Sequence, residues 1–90
     1  RPSLQLAPAI LTKYSGTYHF EKDTVYVSNE KGKLIATAGN YKIPLDASTE
    51  KDFYRKGMFL NVHFKMDDAG NVTGFQLDQF DGGIFMKKVK

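Results

Sequence analysis

Met58-Phe59-Leu60-Asn61-Val62-His63-Phe64-Lys65-Met66 is the stretch on which the fold turns. Met58, Leu60, Val62, Phe64 and Met66 share one parity, and Asn61, His63 and Lys65 share the other. Successive side chains of a strand point to opposite faces, so five same-face apolar positions predict a strand with one side on a core. On the C-terminal side, Asp67-Asp68-Ala69-Gly70-Asn71 reads as a hairpin connection with Gly70 in the left-handed position. A seventh strand follows from Val72 to Phe80, with Phe75 and Leu77 inward. Asp81-Gly82-Gly83 turns, and Ile84 to Val89 closes as an eighth.

Toward the N-terminus the same alternation recurs. Lys56-Gly57 turns out of a fifth strand, Thr49 to Arg55, built around Phe53. Asp46-Ala47-Ser48 separates it from a fourth, Tyr41 to Leu45, in which Pro44 implies an edge or a bend. Gly39-Asn40 leads back to a third strand, Lys33 to Ala38, and Asn29-Glu30-Lys31-Gly32 to a second, where Val25 and Val27 alternate with Tyr26 and Ser28. In the first, Tyr18 and Phe20 oppose His19 and Glu21. Before Thr17 the period is helical: Ile10, Leu11 and Tyr14 share a face, Pro8 suits the first position and Gly16 the stop. Residues 1–7 read as a linker or lead-in segment, and 8–90 as a single domain.

Short strands joined by short turns, with no helix between them, exclude a parallel sheet and predict an all-β fold: a small eight-stranded antiparallel up-and-down barrel with a short N-terminal helix. Eight strands enclose an interior that side chains just fill, and closure removes exposed edges. A chain of 90 residues makes one core and buries only ~60% of its unfolded surface. A large ligand cavity would compete with that core for the same side chains.

Composition narrows the function classes. The chain is 41% hydrophobic and 26% charged, which is ordinary globular usage. The net charge of +3 is spread from Lys13 to Lys90 among acids, with a local excess only at Lys87, Lys88 and Lys90. That scatter argues against a nucleic-acid surface. With no cysteine, disulfides and thiol chemistry are excluded. No run reaches the ~20 apolar residues of a membrane helix. The chain starts at Arg1 with no signal peptide in view, as if processed or cut from something longer.

Four constellations bear on chemistry. Ser48-Thr49-Glu50-Lys51 matches S-x-x-K, but that chemistry needs a helix, and S-D-N and K-T-G are missing. His19 and His63 both take outward parity, and nothing supplies a third ligand or a nucleophile beside them. Asp67, Asp68 and Asn71 lack the spacing and closing Glu of a calcium loop. No pair of acids is placed by a motif. The expectation is therefore no catalytic residue, no metal and no cofactor. Among the aromatics, Tyr18, Phe20, Phe53, Phe64 and Phe75 read as core. Tyr26, Tyr41, Tyr54 and Phe59 fall at parities opposite to core positions and form a candidate interdomain docking face.

A family resemblance rests on motif order: Tyr14-x-Gly16-x-Tyr18, Gly32-Lys33-Leu34, Ile43-Pro44-Leu45, Phe53, Val62-x-Phe64, Asp68-x-Gly70-x-Val72-Thr73-Gly74-Phe75 and Lys88-Val89. Over residues 9–90 the chain resembles the lipocalin-like C-terminal domain of unknown function that follows the catalytic domain in bacterial beta-lactamase-related serine hydrolases. The resemblance implies an eight-stranded barrel, a periplasmic or secreted setting, a catalytic domain upstream of Arg1, and no catalytic residue in this segment. On that basis the leading expectation is a non-catalytic accessory module that packs on the catalytic domain or shapes access to it. The alternative is a stand-alone lipocalin-like binder of a small apolar ligand. Against it stands an interior expected to be filled by Met58 to Met66 and the inward aromatics. An OB-like single-strand binder is the third possibility.

Overall fold

The computed structural model describes residues 4–79 and 82–90. One helix, α1 (Pro8–Tyr14), precedes eight strands: β1 (Gly16–Phe20), β2 (Asp23–Glu30), β3 (Lys33–Ala38), β4 (Tyr41–Ala47), β5 (Asp52–Tyr54), β6 (Leu60–Met66), β7 (Val72–Gln79) and β8 (Gly82–Lys88). Each strand pairs antiparallel with the next, and β8 returns to β1 through Tyr18↔Lys88 and His19↔Lys87, closing the barrel. The expected all-β up-and-down barrel with a short N-terminal helix is thus the observed architecture.

Pro8 opens α1, where its missing N–H is no loss. The helix does not stop on a left-handed glycine as expected. Ser15 is already extended (φ −66°, ψ 139°), and Gly16 belongs to β1. The last turn is tied down by side chains instead. Tyr18 Oη donates to the Tyr14 carbonyl at 2.6 Å, and Ser15 Oγ donates to that of Leu11 at 3.3 Å. Tyr18 therefore satisfies a carbonyl that a helix end leaves orphaned.

Several strand bounds differ from expectation, each for a local reason. Met58 is not inward on β6. Gly57 (φ 84°) and a hydrogen bond from Met58 N–H to the Arg55 carbonyl make a turn of this stretch, so β6 begins at Leu60. Strand five is shorter than Thr49 to Arg55. Thr49 Oγ1 accepts from the N–H groups of Lys51 and Asp52, folding Ser48 to Lys51 into a turn before Asp52. Glu21 (φ 54°) lies in the β1–β2 turn. Gly82 and Gly83 are strand, not turn. Phe80 and Asp81, expected to end strand seven and begin that turn, lie outside the described residues. Pro44 fits its expected place: β5 pairs with β4 only at Asp46 and Ala47, so Pro44 runs past the end of that ladder.

The turns sort into two ends. The β2–β3, β4–β5 and β6–β7 connections share one end with α1 and Lys90. The β1–β2, β3–β4, β5–β6 and β7–β8 connections share the other. Large side chains fill the α1 end. Tyr14 stacks on Phe64 at 4.0 Å, and Phe53 meets Phe64 edge-on at 5.5 Å. Tyr18 lies 4.8 Å from Phe75. Leu11, Leu34, Leu45 and Met86 complete the plug, all buried. Leu4–Ala7, the described part of the lead-in, runs against this end: Leu4 N–H donates to the Ala47 carbonyl and Gln5 Nε2 to that of Gly32.

Candidate ligand-binding site

At the far end the inward residues shrink. β3 presents Ala36 and Ala38 where the closed end has Leu34, and β2 presents Val25. Registers place them in rings: Val27↔Ala36 and Ala36↔Ile43 on one side, Phe75↔Met86 and Leu77↔Ile84 on the other. Strands of a barrel hold their spacing whatever their side chains, so short side chains here leave space. The result is a cavity of about 530 Å³ open at the mouth, with Phe75, Val62 and Leu45 deep in its lining. Ligand sites commonly span ~300–1,000 Å³.

Phe20, Val25, Ala36, Ile43, Leu77 and Ile84 pack on the core while remaining partly exposed, although all six face inward. The expectation of a filled interior therefore holds for the α1 half alone. Met58, expected to help fill it, is 55% exposed at the rim.

Lining polarity is confined to the mouth. Lys22 comes from the β1–β2 turn, Asp23 and Thr24 open β2, and Gln79 ends β7. Among the described residues no charged side chain is buried, and the hydroxyls of the buried Tyr14 and Tyr18 donate to backbone carbonyls at the α1 end. The opposite arc of the rim, at the β3–β4 and β5–β6 connections, exposes Tyr41 (74%) and Phe59 (64%) beside Met58.

The four candidate docking residues do not form one patch. Tyr26 stands on the outer side of β2, between Thr17 and Thr37. Tyr54 is outward on β5, opposite Asp46 and Asn61. Tyr41 shares the parity of Ile43 and Leu45 rather than opposing it, and is exposed because β4 starts there. Phe59 lies in the β5–β6 connection. Only Tyr41 and Phe59 share the mouth end.

The histidines stand apart. His19, on β1, is exposed. His63, on the outside of β6, lies between Asp52 of β5 and Asp78 of β7: Nδ1 is 2.8 Å from Asp52 Oδ1, and Nε2 is 3.3 Å from Asp78 Oδ2. A carboxylate only accepts, so the shorter contact places a proton on Nδ1. The His63 N–H, and after it Thr49 Oγ1, hold the Asp52 carboxyl below its ordinary range against the opposing effect of burial. The two carboxylates lie at opposite nitrogens of one ring and offer a cation no common point. Neither was readable beforehand, because Asp52 and Asp78 meet His63 through register alone.

The remaining motifs resolve as turns. Ser48 Oγ donates to the Asp52 carbonyl, and Lys51 is exposed. Asp67 Oδ1 accepts from the N–H groups of Asn71 and Ala69 at 2.9 and 3.0 Å, closing the β6–β7 loop. Those amides hold its carboxyl below the ordinary range.

The family model described as "Domain of unknown function (DUF3471)" matches residues 1–88, and the chain belongs to that family. No curated protein and no solved structure matches it.

Proposed function

We propose that this barrel is a non-catalytic binding module that takes a small apolar ligand into its open half. The observation that carries the reading is the ring of inward apolar side chains left partly exposed around the cavity. Water against that wall costs about 25 cal/mol per Å² of apolar surface, which a fitting ligand recovers. The α1 end is closed by aromatics, so the ligand enters and leaves by the mouth. The test is titration with phenylnaphthylamine, whose emission rises in apolar surroundings. Saturable one-site binding that Ala36→Phe abolishes supports the reading. A flat titration of the folded wild-type protein overturns it.

A second reading concerns setting. The motif order read from the sequence supports an accessory role beside a beta-lactamase-related serine hydrolase domain, in the periplasm or outside the cell. Exposed Tyr26 and Phe85 on the outer surface supply apolar area for such packing. Sequencing the native polypeptide upstream of Arg1 tests it. A preceding hydrolase domain supports the role, and a barrel preceded by a signal peptide alone overturns it.

A further inference from the structure

The distribution of polarity around the cavity narrows the ligand class. This step rests on the binding reading above. We propose that the ligand is an amphiphile with a hydrocarbon tail, held tail-down with its polar head at the rim. Below the rim the wall offers hydrocarbon alone: Ala36, Ile43, Leu60, Val62, Leu77 and Ile84 among its lining. A polar group carried down there would lose its water and find no side-chain partner. The inserted part is therefore hydrocarbon.

The polar side chains that line the cavity lie on one arc of the rim. Lys22 lies in the β1–β2 turn, Asp23 and Thr24 open β2 and Gln79 ends β7, with only β8 and β1 between β7 and β2 in the barrel, so they face the mouth from one side. The other arc carries Tyr41, Met58 and Phe59 beside Asn40, Arg55 and Lys56 of the same connections. A head group thus has donors and acceptors on the β1–β2 side, while the first carbons of the tail pass Tyr41, Met58 and Phe59. Lys22 and Asp23 are adjacent and opposite in sign, so this part of the rim offers a partner to a head group of either charge. Selectivity resides in the tail.

The test is displacement of phenylnaphthylamine by alkyl chains of six, eight and ten carbons below their micellar concentrations, each with carboxylate, trimethylammonium or glucoside heads. The expected result is about fourfold tighter binding per added methylene, the equivalent of ~0.8 kcal/mol each, with less than about tenfold spread among heads. A ten-carbon dicarboxylate binds at least about a hundredfold more weakly than the monocarboxylate, because one charge must enter the wall. Ile43→Asn, checked for folding by circular dichroism, loses the chain-length dependence. If the probe binds saturably but affinity is flat with tail length, or follows head charge instead, this inference fails while apolar binding stands. If the probe does not bind at all, both fail.

Discussion

Tyr18 is fully buried, and its hydroxyl has one partner, the carbonyl that ends α1. Burial, with Tyr14 adding to it, pushes its ionisation far above the ordinary range, so it acts as a fixed donor. Tyr18→Phe keeps the ring and strands that carbonyl. The expected loss is about 1–2 kcal/mol, read as a lower urea midpoint at unchanged slope. Asp52 gives a pH-dependent counterpart. Its carboxyl is depressed in the fold, so its contribution is complete above the ordinary value of 3.8 and disappears as pH falls through the depressed one. The pair is solvent-screened, and Asp52→Asn is expected to cost only ~0.5 kcal/mol at neutral pH. Denaturation at pH 7 and pH 3 checks this: the difference between wild type and variant is smaller at the lower pH.

At the scale of elements, the β7–β8 pair contains the tightest approach. A Cβ on Gly74 would overlap the Met86 carbonyl and sit 2.6 Å from the Phe85 ring. Phe85 lies over the bare backbone that glycine leaves, and the register shift at Lys65/Met66 is next door. Gly74→Ala is expected to cost about 2 kcal/mol through overpacking, measurable by thermal denaturation, with binding of the probe unchanged. Strand order was legible because alternation and turn residues are local. Met58-to-Met66 revealed β6 from Leu60 onward, and Lys31-Gly32, both at positive φ, marked the β2–β3 turn. Met58 itself was misread because parity continues through a turn that Gly57 and Arg55 impose. The role of Gly74 was not legible, since it depends on which residue of β8 lies opposite.

For the whole molecule, closure and filling are separate properties. Sequence parity identified most inward residues, but not the height at which each lands. Tyr14, Phe53, Phe64 and Phe75 gather toward α1, and Ala36 and Ala38 toward the mouth, only after shear sets the stagger. The candidate cavity was accordingly not legible in the sequence. Unfilled apolar volume is also a stability reserve. Ala36→Leu, which fills part of it, is expected to gain ~1 kcal/mol, or about 4–8 °C in Tm. Calorimetry checks the gain, and the same variant is expected to bind the probe more weakly. Stability and binding thus move in opposite directions at one site.

The placement of the chain ends has a practical corollary. Thr17 exchanges backbone hydrogen bonds with Lys90 and Val89, and Leu4 is tied to Ala47, all at the aromatic-filled pole. A sensor surface, fluorophore or fusion partner attached at either end is thereby anchored on the pole away from the cavity. An immobilised barrel presents its opening outward, and its ligand can be exchanged by flow without releasing the protein.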